Sequence, residues 1–304
     1  MSTKILDIIR DVNDEETVIT LVTHKGKFHA DDVTSTALLR LLLEEQLKMK
    51  TKTVRTFTPE KDGYTDDTPN CIVYDIGLGQ YDHHQIGEDA KHCEREDSDG
   101  VVRKYAATGL IWKEIGPGWI GEKYSKVFYE TVLKYIDNQD NGNGYNPLST
   151  VISFVNPDFT GATDEMFDNA FEYAVHLVIG FLRESIKHYK FLNSCTKYLR
   201  NIVEKTNPTS CLVTNEHVVG ADDICKEFNI PFYVYPNQRG KDEWCFKTIS
   251  VDNTMSNHIL DIPEEVRDWE GVTFLHHSCF LGSAVSKERA IEICDKLYND
   301  ANNK

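Results

Sequence analysis

Residues 17–46 read TVITLVTHKGKFHADDVTSTALLRLLLEEQ, and this stretch decides the fold class. Its first part, residues 17–24, is an apolar run rich in β-branched residues. Residues 31–46 begin with two aspartates and continue with apolar residues at helical spacing. Because a strand that passes through a short loop into a helix is the start of a β–α–β unit, the stretch predicts an α/β fold.

Strands and helices continue to alternate on either side of this stretch. The further predicted strands of this half are residues 52–58 and 70–77, and the predicted helices are residues 3–13, 105–116 and 122–137. No tight hairpin signal separates these strands, so we expect them to form a parallel sheet.

The chain is long enough for two domains. Residues 87–100 are polar and predict a loop, and a long helical zone follows at about residues 164–204. After it come further predicted strands and a last helix. We therefore expect one domain at residues 1–200, including the helical zone, and a smaller α/β domain at residues 201–304.

The composition limits the class of protein. Hydrophobic residues make up 40% of the 304 residues, and no apolar stretch reaches the length of a membrane span, so we expect no membrane partner. The eight cysteines form no C-x-x-C pair, which argues against a zinc ribbon or a redox motif. The acidic N-terminus lacks the features of a secretory or mitochondrial signal, which predicts a cytosolic location, with the nucleus as an alternative.

The formal net charge is −16. A large surface for duplex nucleic acid needs a basic face, so this charge argues against one. Short, single-stranded or mononucleotide substrates are compatible with it, because they need only a local basic groove.

The opening stretch also carries the first candidate site residues. His24 ends the predicted strand, and His29 and Asp31 follow in the loop and the first helical turn. In parallel α/β sheets ligands bind beyond the carboxyl ends of the strands, so the three side chains are expected to converge there. Aspartates at a helix start also serve as caps, and this is our interpretation of Asp32.

A second group of candidates follows the strand at residues 70–77. Asp75 lies at its carboxyl end, and Asp82, His83 and His84 stand in a row seven residues later. An aspartate can orient a ligating imidazole by accepting its other N–H group. We expect His83 to bind metal, Asp82 to orient a neighbouring imidazole, and His84 to act as the acid or to contact phosphate.

A later carboxylate completes the set. The segment YIDNQDNGNG contains Asp137 at a helix end and Asp140 at the start of a turn-rich stretch. Asp137 is the preferred ligand and Asp140 the alternative.

The predicted metal ligands are His24, His29, Asp31, Asp75, His83 and Asp137. Six nitrogen and oxygen donors without a thiolate are too many for one tetrahedral zinc ion. They suit two divalent ions, with Mn²⁺ as the first expectation and Mg²⁺, Co²⁺, Fe²⁺ or Zn²⁺ as alternatives. Two such ions about 3.5–4 Å apart are the usual device for in-line attack of water at phosphorus, and Asp75 is the natural bridge.

The ordered motifs H-x4-H-x-D, strand-end D, D-H-H and a later D resemble those of the DHH phosphoesterase superfamily. More narrowly, THKGKFHADD, YDIG, YDHHQ and DNQDNG are similar to the motifs of the melanocyte proliferating gene one family, and so are YPNQRGKDEWCFKTIS and FLHHSCFLGSAVSKERAI in the second half. The resemblance covers most of the chain. It implies a DHH-like N-terminal domain with a helical insert, a C-terminal substrate-binding domain, two metals of the Mn²⁺ type, and 3′–5′ exoribonuclease activity that releases nucleoside 5′-monophosphates.

The same resemblance implies how the ligands divide. One ion would take His24, His29 and Asp75, and the other would take Asp31, Asp75, His83 and Asp137, with His84 facing the scissile phosphate. Asp32 replaces a glutamate of the family pattern.

A departure lies in the second half, where the family pattern G-F-x-G-G is replaced by residues 279–283, CFLGS. Two glycines are lost from a loop expected to approach substrate, and a Cβ there hinders close approach or positive φ. The candidate substrate contacts of this half are Arg239, Lys241, His276 and Lys287. A polar hairpin tip is an equally good interpretation of the first two, and a strand-end role of His276.

Two other functions stay open. The same metal ligands would serve a small-molecule phosphoesterase or a pyrophosphatase, and a non-enzymatic metal-binding scaffold is the second alternative. The expected partner is accordingly short or single-stranded RNA or a small phosphate ester. The apolar helical segment at residues 171–182 is compatible with either a core or a homodimer seam.

Overall fold

The computed structural model describes residues 4–12, 14, 16–157, 160–239, 242–252 and 257–303. The chain divides into two compact units, the first ending at Lys190 and the second beginning at Phe191. The predicted boundary at residue 200 lies farther along the same helix, which runs from Asp164 to Thr206. None of the described helices is long and apolar enough to cross a membrane.

The first unit is built on a parallel three-stranded sheet of the order β2-β1-β3. Its strands are β1 (Val18–His24), β2 (Lys50–Thr56) and β3 (Cys71–Val73). The apolar run at residues 19–23 is buried, as expected for a central strand with both faces covered. The predicted α/β class with a parallel sheet is therefore confirmed.

Helices of the first unit pack against this sheet and against one another. They are α1 (Lys4–Asp11), α2 (Ala30–Arg40), α3 (Ala107–Ile120), α4 (Glu122–Phe128), α5 (Lys134–Asp140), α6 (Pro147–Ser153) and α7 (Asp164–Thr206). Two predicted helices continue through π-helical turns: α2 into Leu41–Gln46, and α4 into α5 through Tyr129–Leu133. Edge-to-face packing of Trp112 on Phe128, with ring centroids 5.0 Å apart, joins α3 to α4.

The stretch predicted as a polar loop at residues 87–100 contains regular structure. A 3₁₀ helix at Gly87–Cys93 leads into an antiparallel hairpin of β4 (Glu94–Glu96) and β5 (Val102–Lys104). The hairpin has charged residues where a strand usually has apolar ones. The buried guanidinium of Arg95 is tolerated there because it pairs with Asp97. The loop prediction was therefore incomplete.

The second unit is a smaller α/β unit with a mixed five-stranded sheet of the order β6-β7-β8-β10-β9. Its elements are β6 (Cys211–Val213), α8 (Ala221–Glu227), β7 (Phe232–Pro236), β8 (Trp244–Thr248), a 3₁₀ turn (Glu264–Asp268), β9 (Val272–Leu275), β10 (Leu281–Ala284) and α9 (Lys287–Asn302). Only the β6–β7 pair is parallel among these strands. Phe232, Val234 and Phe246 lie in the core beneath α9.

Candidate metal centre

The carboxyl ends of β1 and β3 place two candidate ligands side by side. Because the strands are parallel neighbours, His24 at the end of β1 meets Asp75, which follows β3. The His24 Nε2 atom lies 3.4 Å from Asp75 Oδ2 and 3.2 Å from Asp32 Oδ2. Burial opposes protonation of this imidazole, but the hydrogen bond to Asp75 and the charges of Asp32 and Asp75 outweigh it and raise the pKa of His24 to about 9.

Arg55 on β2 fixes the loop after His24. Its guanidinium donates to the carbonyl oxygen of His24 at 3.2 Å and to that of Gly26 at 2.8 Å. A third hydrogen bond, 2.8 Å long, goes to Asp168 at the start of α7. The guanidinium carbon also lies 4.3 Å from the centre of the Phe171 ring. Because Arg55 is 4% exposed, these contacts hold the loop from inside the protein.

Asp75 adopts the left-handed conformation, with φ of +56°. Its N–H group donates to Tyr81 O at 3.0 Å, which brings the following loop back beside the strand end. As a result His83 Nδ1 lies 3.6 Å from Asp75 Oδ1. Aspartate tolerates this backbone region better than most residues, at a cost of about 1–3 kcal/mol.

Asp82 holds His84 in place. Its carboxylate accepts hydrogen bonds from His84 N at 3.0 Å, from His84 Nδ1 at 2.7 Å and from Leu78 N at 2.8 Å. Burial opposes ionisation, yet these bonds lower the pKa of Asp82, and the bond to Asp82 raises the pKa of His84. With Nδ1 engaged, the half-exposed His84 keeps its other ring nitrogen for a ligand.

Asp31 lies fully buried at the start of α2. Its two oxygens accept hydrogen bonds from Ala107 N at 2.9 Å and Thr108 N at 2.7 Å, at the start of α3. It also has an oxygen within 4.8 Å of ligand atoms of Asp75, His83 and Asp140. Burial, together with the nearby carboxylates, raises the pKa of Asp31 well above its usual value.

Asp140, and not Asp137, joins this cluster. His83 Nε2 lies 2.9 Å from Asp140 Oδ2, at the end of α5. The carboxylate of Asp137, one turn earlier, accepts hydrogen bonds from Tyr129 Oη at 2.7 Å and Gly109 N at 3.1 Å. The groups of converging ligand atoms in the described residues thus contain Asp140, the alternative, and not Asp137, and the ligand role of either residue stays a prediction.

Asp32 does more than cap α2. Its Oδ1 atom accepts from His29 N at 2.8 Å and Val33 N at 2.9 Å, as expected for a residue at a helix start. Its Oδ2 atom is buried without a hydrogen-bond partner and faces His24. This carboxylate was missed as a candidate ligand, although the family pattern, with a glutamate at the same position, was a usable signal.

The cluster fits divalent cations. Three of its buried atoms lack a hydrogen-bond partner in the described part of the chain, namely Asp32 Oδ2, Asp75 Oδ1 and His83 Nδ1. Buried polar atoms are normally satisfied, so three orphans at one place indicate a missing partner. Their nitrogen and oxygen chemistry matches Mn²⁺, Mg²⁺ or similar ions.

An open cavity of about 510 Å³ gives access to these residues. Its lining consists of His24, Lys27, His29, Asp75, Ile76, Gly77, Leu78, Asp82, His84 and Asp140. His29 is exposed, and its ring centre lies 5.7 Å from that of His24. Within the described residues the groups of converging ligand atoms do not include His29, so this predicted ligand lines the cavity at the edge of the cluster.

The candidate substrate contacts of the second unit do not all lie in one cavity. Arg239 and His276 line one cavity of about 590 Å³. Lys287 does not line it, since its Nζ atom donates to Asn215 at 3.0 Å and lies 5.1 Å from the centre of the Trp244 ring. Lys241 lies outside the described residues.

The altered 279–283 segment is only partly a loop. Cys279 has φ of +52°, so the position does require the left-handed conformation that glycine adopts most easily. Ser283, by contrast, belongs to strand β10, is buried, and shares a hydrogen bond of 3.0 Å with Thr273. Ser283 therefore lies in a strand and not in a loop, but residues 280–283 line the same cavity as Arg239 and His276, so their approach to substrate stays a prediction.

Comparisons with known proteins establish the family. The MYG1_exonuc model, described as an uncharacterised protein family (UPF0160), matches residues 20–297. An MYG1 protein of Chlamydia pneumoniae is 30% identical over 88% of this chain and 92% of its own length. The MYG1 exonuclease of Homo sapiens is 24% identical over 89% of this chain and 83% of its own length. A solved structure of RecJ with Mn²⁺ from Thermus thermophilus is 11% identical, covers 99% of this chain and 54% of RecJ, and gives a TM-score of 0.28.

The α/β unit with its cluster of buried carboxylates and imidazoles defines the class of protein as a metal-dependent hydrolase. Within that class, the chain belongs to the MYG1_exonuc family. The resemblance of the motifs to the melanocyte proliferating gene one family is thereby confirmed.

Proposed function

We propose that the chain is a 3′–5′ exoribonuclease that hydrolyses RNA ends and releases nucleoside 5′-monophosphates. The observation that carries the proposal is the convergence of unpartnered buried atoms of Asp32, Asp75 and His83 beside His84 in an open cavity. The human and cattle relatives are both named MYG1 exonuclease, which supports a nucleic acid as the substrate.

Three groups of converging ligand atoms share Asp75 in the described part of the chain, and we assign two of them to metal because Asp82 and His84 of the third are hydrogen-bonded to each other. His24, Asp32 and Asp75 form one set, with His29 at its edge. Asp31, Asp75, His83 and Asp140 form the other. Two divalent ions in such a site, with Mn²⁺ as the first choice, supply an activated water and neutralise charge on the phosphoryl oxygens.

His84 handles the proton of the reaction. Asp82 binds its Nδ1 atom at 2.7 Å and raises the pKa of His84, which favours the imidazolium, the form that carries a proton on the other ring nitrogen. From there it donates to the leaving 3′ oxygen or to a phosphoryl oxygen. A positioned acid of this kind contributes about 10²–10⁴-fold to a rate.

The second unit supplies substrate contacts. Arg239 and His276 line the same cavity, where the ring of His276 packs edge-on to Phe280 at 4.5 Å between centroids. A guanidinium suits phosphate and an aromatic pair suits a base. We assign this cavity to substrate binding by the second unit.

The test is an assay of metal-stripped protein, with Mn²⁺ added back, on a short RNA labelled at its 5′ end. Inorganic pyrophosphate is assayed in parallel, and Asp75→Asn is the control. The expected result is a ladder that shortens from the 3′ end and is absent in the control. Phosphate release from pyrophosphate with intact RNA would replace the proposal by a pyrophosphatase, and metal binding without any cleavage would replace it by a metal-binding scaffold.

A further inference from the structure

The segment that follows β2 lies over both loops that carry the metal cluster. A Cβ built on Gly26 would lie 3.4 Å from the Phe57 ring, and one built on Gly77 would lie 3.4 Å from Pro59. Both glycines have positive φ, +82° and +86°. The Phe57 ring therefore packs beside Gly26, directly before the cavity-lining Lys27, although Phe57 itself is not among the lining residues.

The rim is more apolar than a phosphate site requires. Phe57 is 66% exposed, and Leu78, which lines the cavity, is 64% exposed. Burying such side chains would stabilise the protein by roughly 25 cal/mol for each Å² of apolar surface removed from water, and their exposure gives up this stabilisation. An exposed aromatic ring beside a catalytic cavity is the feature that single-stranded nucleic acid sites use to stack a base.

The cavity also has a cation at its wall. Lys27 lines it and is the one lysine or arginine among its lining residues in the described part of the chain. Lys27 directly follows Gly26, the residue against which the Phe57 ring packs, so Lys27 and Phe57 are close to each other beside the cavity. At about 510 Å³ the cavity lies in the range that encloses small organic ligands.

We propose that Phe57 is the stacking platform for the base of the 3′-terminal nucleotide, with Leu78 beside it and Lys27 contacting the phosphate. This inference rests on the proposed exoribonuclease function and refines it. It assigns the terminal nucleotide to the first unit. It also separates a nucleotide substrate from pyrophosphate, which has no base to stack.

The experiment compares a short RNA with the same RNA ending in an abasic ribose nucleotide. Stacking one base on an aromatic side chain corresponds to about 5- to 100-fold in affinity. The wild type is therefore expected to show a KM higher by about that factor for the abasic RNA. Phe57→Ala should raise KM for the normal RNA by the same factor and leave KM for the abasic RNA unchanged, while Phe57→Trp should behave as the wild type.

Phe181→Ala is the matched control. Phe181 is also exposed, at 43%, but it lies on α7 two residues before Arg183, which pairs with Glu45 in the π-helical turn after α2. That turn is at the opposite end of α2 from His29, so this variant should match the wild type on both RNAs. Equal effects of Phe57→Ala on both RNAs, or none on either, would overturn the assignment of Phe57.

A binding measurement separates this inference from the proposed function. The indole introduced by Phe57→Trp is monitored by fluorescence, with wild type as the background, while adenosine 5′-monophosphate or ribose 5-phosphate is added with Mn²⁺. Quenching by the nucleotide alone supports the platform even when RNA is not cleaved. Equal quenching by both compounds, or by neither, contradicts it even when RNA is cleaved.

Discussion

Replacing Asp137 by alanine tests which carboxylate of α5 packs and which one binds metal. The Asp137 side chain is 0% exposed, and it accepts hydrogen bonds from Tyr129 Oη and Gly109 N. The Arg95 guanidinium lies 3.7 Å from its Oδ2 atom. Asp137→Ala leaves Tyr129 Oη and Gly109 N without this acceptor, while Arg95 keeps its pair with Asp97.

The expected cost follows from those contacts. Each of these two buried donors costs about 1–3 kcal/mol when it is left unsatisfied, which gives about 2–6 kcal/mol for both. We therefore expect Asp137→Ala to lower the free energy of unfolding by about 3–5 kcal/mol, which is a large part of the stability of an ordinary domain. The side chain of Asp140 is 14% exposed beside His83. Asp140→Ala should therefore lower the free energy of unfolding by no more than about 1 kcal/mol.

Metal affinity should show the reverse order. Loss of a residue that only supports a ligand typically lowers metal affinity 10–100-fold, so loss of the proposed ligand Asp140 should lower it by more than about 100-fold. The assays are urea unfolding of the metal-free proteins at pH 8 and calorimetric titration with Mn²⁺. A stable Asp137→Ala protein that no longer binds Mn²⁺, beside an Asp140→Ala protein that binds normally, would refute this assignment.

Three further outcomes are expected. Arg55→Lys should weaken Mn²⁺ binding by about 10–100-fold in the same titration, because an ammonium cannot hold the carbonyls of His24 and Gly26 and the carboxylate of Asp168 together. Burial raises the pKa of Asp137 to about 7, so between pH 5 and 7 the folded metal-free protein holds a proton that the unfolded chain has lost. The free energy of unfolding, measured with urea in the presence of a chelator, should therefore fall by about 2–3 kcal/mol relative to that of Asp137→Asn as pH rises over this range. A difference between the two proteins that stays constant with pH would count against the raised pKa. Gly282→Ala should lower the free energy of unfolding by about 1–3 kcal/mol in the same assay, because the Phe246 ring occupies the space that its Cβ needs, and unchanged stability would show that the ring moves aside freely.

Much of the first unit could be predicted because its elements follow simple patterns. The apolar run at residues 17–24 became β1, and the helical spacing at residues 31–46 became α2 with its π-helical turn. The parallel pairing then places residues that follow strand ends at one edge of the sheet. That is why His24 and Asp75, seen in the sequence as strand-end residues, lie 3.4 Å apart.

The choice between Asp137 and Asp140 could not be made from sequence, because both lie on α5 and the outcome depends on how α5 packs against α3. Gly109 lets the Asp137 carboxylate approach the α3 backbone, where a Cβ would collide with it. The hairpin of β4 and β5 was missed for a related reason. Its first strand carries the buried Arg95, which pairs with Asp97 just after the strand, and local polarity alone predicts a loop there.

The left-handed backbone of Asp75 constrains what evolution can place at this position. Among the residues that tolerate this conformation well are aspartate, asparagine and glycine, and of these only aspartate offers a carboxylate to both sets of ligands. A lineage released from selection for metal binding would therefore be expected to accept asparagine or glycine at residue 75 more readily than other residues, keeping the fold. Such a change in a related chain would mark the loss of the carboxylate that both sets share.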